Sequence, residues 1–439
     1  MVKSPPLLST NTPFMHISSL FPWCALLLSA CTVYRPAPVD LTRDSAEWRQ
    51  LSAELCPAGH RLTRAEMQHI GLLLNPALNK ARLSYAQSSS VAEFAGLWQD
   101  PSLSAELEHV MRQNMNNYSI APSLSIPVTG LPRLARRVAE QYRESDYWNM
   151  VATERDFLRD LDLQRAKLLV LHRKSALAQE QLHSLRADKQ RMEQLHRMGE
   201  ISFADYQVAC QRLLDTEQEL LALGQEHEQQ HAALVSMLGL HPEARQVETA
   251  ERLPETVPPA VPLPEAEALA QHPSLKVALA AYGASETELQ AEIRRQYPEL
   301  SLSPSRVHEE GETRLGAGVE LSLPLWNRNR EAIAKAQGNR SIRCREALDL
   351  WRGLQQRAAA LGDQQQLLAE NCRSTAAGVA ERERAEQHHQ RLYDMGECSL
   401  PELAQARYET YQRRMTYLNC LNSLLEVQVQ LQYLNPSFS

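Results

Sequence analysis

Four short motifs recur along this chain at one fixed spacing, and that spacing restricts the fold more than any other feature. Asn75-Pro76-Ala77-Leu78 returns as His272-Pro273-Ser274-Leu275, and Asp100-Pro101-Ser102-Leu103-Ser104 as Tyr297-Pro298-Glu299-Leu300-Ser301. Ser125-Ile126-Pro127-Val128 returns as Ser322-Leu323-Pro324-Leu325, and Met198-Gly199-Glu200-Ile201-Ser202 as Met395-Gly396-Glu397-Cys398-Ser399. Pro76 and Pro273, like Gly199 and Gly396, stand 197 residues apart. Matches at one offset, without insertion or deletion, mark a tandem duplication whose period is too long for a solenoid unit.

Gly199 and Gly396 suit the position just past a helix end, where positive φ costs glycine no Cβ clash. Ser399 and Glu402 stand three apart, the spacing of a capping box, and Asp205 takes the place of Glu402 in the first copy. One helix stops and another starts at each copy, which predicts two αα-hairpin tips. Before each tip the sequence predicts a long polar helix, Leu131 to Met198 and Arg328 to Met395, each about 100 Å long. The helices beyond the tips, Ser202 to Leu240 and Ser399 to Leu434, are about 55–60 Å long. A return helix stacked end to end on the helix that opens each repeat would match one long helix. Leu171, Ala178, Leu182, Leu185 and Met192 on the outgoing arm, and Tyr206, Leu213, Leu220, His227 and Leu234 on the return arm, keep the spacing of packed antiparallel helices.

Between the opening helix and the long helix the period falls to two. Apolar and polar residues alternate from Ser102 to Glu108. After a polar loop, Met111 to Tyr118, Ile120, Pro122, Leu124, Ile126 and Val128 alternate with Ala121, Ser123 and Ser125. The second repeat sets Leu300 and Leu302 against Ser301 and Ser303, then Ala317, Val319, Leu321 and Leu323 against Gly318, Glu320 and Ser322. These are four strands of about nine to eleven residues, the length that crosses a bilayer in a tilted β-barrel. Four strands cannot close a barrel, and an open edge in hydrocarbon leaves backbone groups unsatisfied, so several chains must share one. By parity Leu103, Leu107, Leu321 and Leu323 face lipid, while Ser104, Glu106, Glu108, Glu320 and Ser322 line water.

The chain opens with Lys3, an apolar run from Leu20 to Leu28, and Leu28-Ser29-Ala30-Cys31. An apolar run this short is no permanent span, and small residues before a cut suit a signal peptidase. Residues 1–30 therefore read as a signal peptide starting at Met1 or Met15, and residues 31–60 as an extended tether. The first repeat occupies 61–240 and the second 265–439, separated by a stiff linker, 241–264, with six prolines. With 53 acidic and 46 basic residues the net charge is −7, which argues against a nucleic-acid partner. Only 16 glycines in 439 residues and 6% aromatics fit long helices. Cys56, Cys210, Cys344, Cys372, Cys398 and Cys420 show no CxxC spacing and do not repeat, so no metal, cofactor or disulfide framework is indicated. Cys372 and Cys420 each lie 24 residues from Gly396, at about the same height in a hairpin folded there. Their bridging stays open, with ordinary packing the favoured reading.

The arrangement Leu28-Ser29-Ala30-Cys31 resembles a bacterial lipobox, which implies lipidation of Cys31. Together with the duplicated strand-strand-helix-hairpin unit and the shared barrel, it makes residues 60 to 435, roughly, resemble the TolC family of outer-membrane efflux channels. The most family-like stretches are Gly199 and Ser202, their copies Gly396 and Ser399, and Glu320-Leu321-Ser322-Leu323-Pro324-Leu325-Trp326-Asn327-Arg328-Asn329-Arg330. The resemblance implies a mainly α fold with a small membrane β part, each chain supplying one third of a trimeric twelve-stranded barrel and of a helical tunnel across the periplasm. It implies a passive duct, not an enzyme, lipid-anchored in the outer membrane and served by a periplasmic adaptor and an inner-membrane pump. Docking would fall to the tips, at Met198, Gly199, Glu200, Ser202, Met395, Gly396, Glu397 and Ser399. Asp205 and Glu402 would ring an acidic constriction near the tunnel mouth. Pro324-Leu325-Trp326-Asn327-Arg328-Asn329 looks closest to the heavy-metal branch and implies cation export. The first repeat departs there, with Thr129-Gly130-Leu131-Pro132.

Blander readings stand beside these. His227-Glu228-Gln229-Gln230-His231 fits the H-E-x-x-H zinc-peptidase pattern. Yet both histidines fall on the heptad seam, their copies are Leu424 and Gln428, and no third ligand is apparent, so packing outweighs a peptidase. Asp205 and Glu402 also act as capping carboxylates, worth about a kcal/mol or less. Glu106, Glu108 and Glu320 also suit any water-filled barrel, with a weak cation preference as the functional reading. A purely structural periplasmic coiled-coil lipoprotein would explain the anchor and helices but leaves the four alternating segments unused.

Overall fold

The computed structural model describes residues 34–57, 61–111, 115–244, 248–249, 251–254, 256–309 and 311–436. Two compact units divide the chain, residues 1–48 and 49–439. Residues 34–40 lead into helix α1, Leu41–Leu55. Asp40 sets its start, its carboxylate accepting from the amides of Thr42 and Arg43 at 3.1 Å each. The extended tether expected over 31–60 is thus corrected, since Asp40 caps a proline-free stretch that forms a 15-residue helix.

Within the second unit each repeat runs through an opening helix, two strands, a long helix, a tip and a return helix. The first repeat comprises β1 (Arg61–Leu62), α2 (Arg64–Leu74), α3 (Pro76–Phe94), β2 (Ser102–Val110), β3 (Met115–Ile126), α4 (Leu131–Arg197) and α5 (Phe203–Met237). In the linker, β4 (Glu248–Thr249) pairs in parallel with β1. The second repeat comprises α6 (Ala266–Ala270), α7 (Pro273–Arg294), β5 (Leu300–Glu309), β6 (Glu312–Leu321), α8 (Arg330–Asp394) and α9 (Leu400–Leu434).

The break at Asn75-Pro76 makes the end-to-end stacking possible. Asn75 Oδ1 accepts from the Leu78 amide at 3.1 Å, capping α3, while its Nδ2 donates at 2.8 Å to the carbonyl of Met237, the last residue of α5. One side chain thus joins the end of α5 to the start of α3, and both pack along the 67-residue α4. In the second repeat α9 and α7 pack along the 65-residue α8, with Leu275 and Leu434 in one core cluster.

Met67, Leu78, Leu161, Leu234 and Leu238 are fully buried where the α2–α3 junction meets α4 and α5, each contributing about 1.5–3 kcal/mol by burial. The α4 stripe Leu171, Ala178, Leu182, Leu185 and Met192 is buried throughout. The α5 stripe departs from expectation: Leu213 and Leu234 are buried, but His227 keeps 39% of its side chain exposed. The seam therefore does not close over His227.

Buried Asp162 ties α9 to the first repeat. It accepts from Arg64 at 2.5 and 3.0 Å, from Arg165 at 3.3 Å and from the Tyr433 hydroxyl at 2.8 Å. The proline-rich linker lies along α8 and α9, where Gln365 exchanges hydrogen bonds of 2.8 and 3.0 Å with Val261 and Gln428 donates to the Pro259 carbonyl at 2.9 Å.

Strands β2, β3, β5 and β6 form one antiparallel sheet in that order. The loop expected from Met111 to Tyr118 is shorter, because β3 already starts at Met115 and Tyr118 sits opposite Leu107. A 2.7 Å contact between His109 Nδ1 and Asn116 Oδ1 carries the ladder past the end of the apolar alternation.

Candidate channel wall and hairpin tips

Directly opposed residues of an antiparallel ladder share a face of the sheet. One face therefore carries Leu103 and Leu107, Ile120 and Leu124, Leu300 and Leu302, and Leu315, Val319 and Leu321. The other carries Ser104, Glu106 and Glu108, opposite Ala121, Ser119 and Asn117, and Glu320 opposite Ser301. The residues of the four strands share faces as the alternation predicts; Ser322 and Leu323 lie just beyond β6, with Leu323 exposed.

On the inner strands the exposure pattern is the reverse of a water-soluble sheet, while β2 and β6 are exposed on both faces. On the apolar face of β3 and β5, Ile120 is 44% exposed, Leu124 38% and Leu302 37%. Ser119, Ser123, Ser125, Ser301 and Ser303 on the opposite face are half-buried. Soluble sheets bury the apolar face, and a contiguous exposed apolar surface marks contact with lipid or protein. Among the described residues no helix is long and apolar enough to cross a membrane. Strands β2 and β6 are the two edges of this open sheet. Toward the hairpins the apolar face ends in polar and aromatic side chains, with Tyr118 stacked on His308 at 4.9 Å and His308 Nδ1 3.1 Å from the Thr313 hydroxyl. Near its other end Trp98 and Trp326 are exposed, as aromatic residues are at membrane interfaces.

The tips share one backbone motif. Glu200 donates its amide to the Leu195 carbonyl at 2.9 Å and Gly199 to His196 at 3.0 Å, while Glu397 donates to Leu392 at 2.9 Å and Gly396 to Tyr393 at 3.0 Å. These are paired Schellman closures, with φ of +78° at Gly199 and +76° at Gly396. Met198 and Met395, 63% and 64% exposed, project there with exposed Glu200 and Glu397. Each return helix is then capped. Ser202 Oγ accepts from the Asp205 amide at 3.1 Å and donates to its carboxylate at 2.6 Å. At the second tip the Ser399 amide and hydroxyl both donate to Glu402 at 2.8 Å. The Ser399 amide, then its hydroxyl and the Cys398 thiol, hold the Glu402 carboxyl below the usual carboxylate range.

Asp205 and Glu402 line one cleft of about 490 Å³ between the hairpins, together with Asp188, Arg212, Arg382 and His389. Periodicity did not reveal what holds the hairpins together there. Arg407 on α9 donates to buried Asp188 on α4 at 3.1 and 3.3 Å and to Gln390 on α8 at 2.6 Å. Tyr411 donates to Glu219 at 2.6 Å, and Arg212 hydrogen-bonds Gln405 while lying 4.8 Å over the Tyr408 ring. The one local sign was a charge, Asp188, inside the apolar stripe between Leu185 and Met192.

Neither protein-family models nor curated proteins yield a match. Solved structures do. The outer membrane protein VceC of Vibrio cholerae superposes with a TM-score of 0.73 at 15% identity, over 89% of this chain and 98% of that one. The CmeC outer membrane channel of Campylobacter jejuni gives 0.74 at 14% identity, over 99% and 94%. CusC, described in terms of transmembrane channel formation, gives 0.73 at 15% identity, over 85% and 92%. The fold is that of the TolC-type outer-membrane channels. These structures are alike in their distance from this chain, so the likeness singles out no heavy-metal branch. The stretch expected to be a signal peptide, residues 1–30, and Cys31 lie outside the described residues. His227 and His231 stack at 6.2 Å on α5. Among the described residues no group of three or more His, Cys, Asp or Glu is placed to hold a metal ion.

Proposed function

We propose that three copies of this chain close one barrel in the outer membrane and one helical duct beneath it, forming the passive exit of an efflux pump. The reversed sheet carries this reading, since its apolar face needs lipid and its two edges need strands. In hydrocarbon each unpaired backbone group costs several kcal/mol, so edges β2 and β6 must meet neighbouring copies. Three sets of four strands give twelve, within the range of outer-membrane barrels. Mass measurement of the full-length protein in mild detergent tests it. A trimer is expected; a stable monomer would contradict the shared barrel.

The finer assignments rest on the same reading. The exposed tips, Met198, Gly199, Glu200 and Ser202 with Met395, Gly396, Glu397 and Ser399, would meet a periplasmic adaptor that hands on solutes from an inner-membrane pump. Asp205 and Glu402 would form carboxylate rings at the tunnel mouth. Glu106, Glu108 and Glu320 would line the lumen, favouring cations weakly. A lipid on Cys31 would anchor the chain, and repeats at 61–240 and 265–439 would make the two halves of each third. Metal cations or small toxic compounds are the cargo this reading favours.

A further inference from the structure

The H-E-x-x-H stretch of α5 is left unused by a passive duct. His227 and His231 stand one helical turn apart on one face, their rings 6.2 Å centroid to centroid and 20° from parallel. Both are half-buried, and among the described residues neither imidazole makes a hydrogen bond. Glu228 Oε1 lies 3.9 Å from His227 Nδ1, beyond hydrogen-bonding distance, so neither ring nitrogen is committed to a protein partner. The second repeat does not share this arrangement, because the equivalent residues of α9, Leu424 and Gln428, are buried at 0% and 7% exposure. Duplication thus left a buried Leu–Gln pair on one return helix and a half-buried imidazole pair on the other.

We propose that His227 and His231 form a bidentate site for a divalent transition-metal ion. Imidazole nitrogens suit Zn²⁺, Cu²⁺ and Ni²⁺, and two histidines at i and i+4 on a helix can share one such ion. With metal–nitrogen bonds of about 2.0–2.1 Å the rings must turn inward by a side-chain rotation, which half-buried side chains allow. Two protein ligands leave the remaining positions to water, so the bound ion stays exchangeable. It is independent of the duct reading.

Calorimetric titration of the metal-stripped, detergent-solubilised full-length protein with Ni²⁺ tests the site. One Ni²⁺ per chain is expected, with affinity falling at least tenfold in both His227→Ala and His231→Ala and staying unchanged in His388→Ala/His389→Ala. Ni²⁺ should also raise the thermal midpoint of the wild type but not of His227→Ala/His231→Ala. No binding by the wild type, or equal binding by the single variants, would overturn the proposal.

Discussion

Ser123 and Ser303, one from each repeat, meet across the β3–β5 seam with hydroxyl oxygens 3.1 Å apart. On the opposite side of the same seam their neighbours Leu124 and Leu302 stand directly opposed and are both exposed. The join between the duplicated halves thus shows the reversal of the inner strands, hydroxyl against hydroxyl on one face and leucine against leucine on the other.

That reversal predicts the outcome of cysteine labelling. With native accessible thiols removed, Ser104→Cys, Glu106→Cys and Glu320→Cys in membrane-embedded protein should react with an impermeant thiol reagent. Leu103→Cys, Leu107→Cys and Leu321→Cys should stay protected. Equal labelling of both sets would remove the barrel assignment.

The tip glycines separate architecture from docking. A Cβ on Gly199 or Gly396 would meet nothing within 4 Å, so any cost of substitution there comes from positive φ alone. Gly199→Val and Gly396→Val should each cost about 1–2 kcal/mol locally and leave the trimer intact. Export and adaptor cross-linking should fall sharply in both. Full export with unchanged cross-linking would make the tips architecture only.

His272 gives a pH prediction. It caps α7, Nδ1 accepting from the Ser274 amide at 3.3 Å, as Asn75 caps α3 in the first repeat. Burial, then the charges of Arg155, Arg357 and Arg159, pushes its pKa down to about 4 from 6.5. The unfolded chain binds a proton that the folded chain refuses between these values, so this contribution to stability is full above pH 6.5 and is lost as the pH falls toward 4. Protonation would also remove the capping acceptor. His272→Asn keeps an acceptor without titrating. The thermal midpoint of the wild type should therefore fall more steeply than that of His272→Asn between pH 6.5 and 4, and parallel curves would contradict the assignment.

Cys372 and Cys420 share one buried cluster with Ala369 and Leu424, and both are free thiols. Burial, reinforced by the neighbouring Cys420 thiol, pushes the Cys372 pKa up to about 12. A thiol so rarely ionised exchanges slowly, so non-reducing peptide mapping of periplasmically exported protein should show no Cys372–Cys420 peptide.

The faces of the sheet and the positions of the tips were legible because each follows from local rules. Period-two alternation fixes which side chains share a face, and glycine followed three residues later by a capping serine fixes where a helix turns. Contacts between the hairpins were not legible, since Asp188 and Arg407 lie 219 residues apart and no spacing rule joins them. His227 shows the limit of heptad counting: the count gives the phase along α5 but not how far a neighbouring helix covers it. Helix α1 was hidden because the prolines before Asp40 suggested extended chain, while the cap that starts the helix is one carboxylate.

A water-filled path through the outer membrane, closed by three copies of this chain, is read out by single-channel recording in planar lipid bilayers. The detergent-purified trimer should insert in discrete steps of stable, reproducible conductance. Protein that inserts as a trimer and leaves the bilayer silent, with the adaptor present as well as absent, would contradict it.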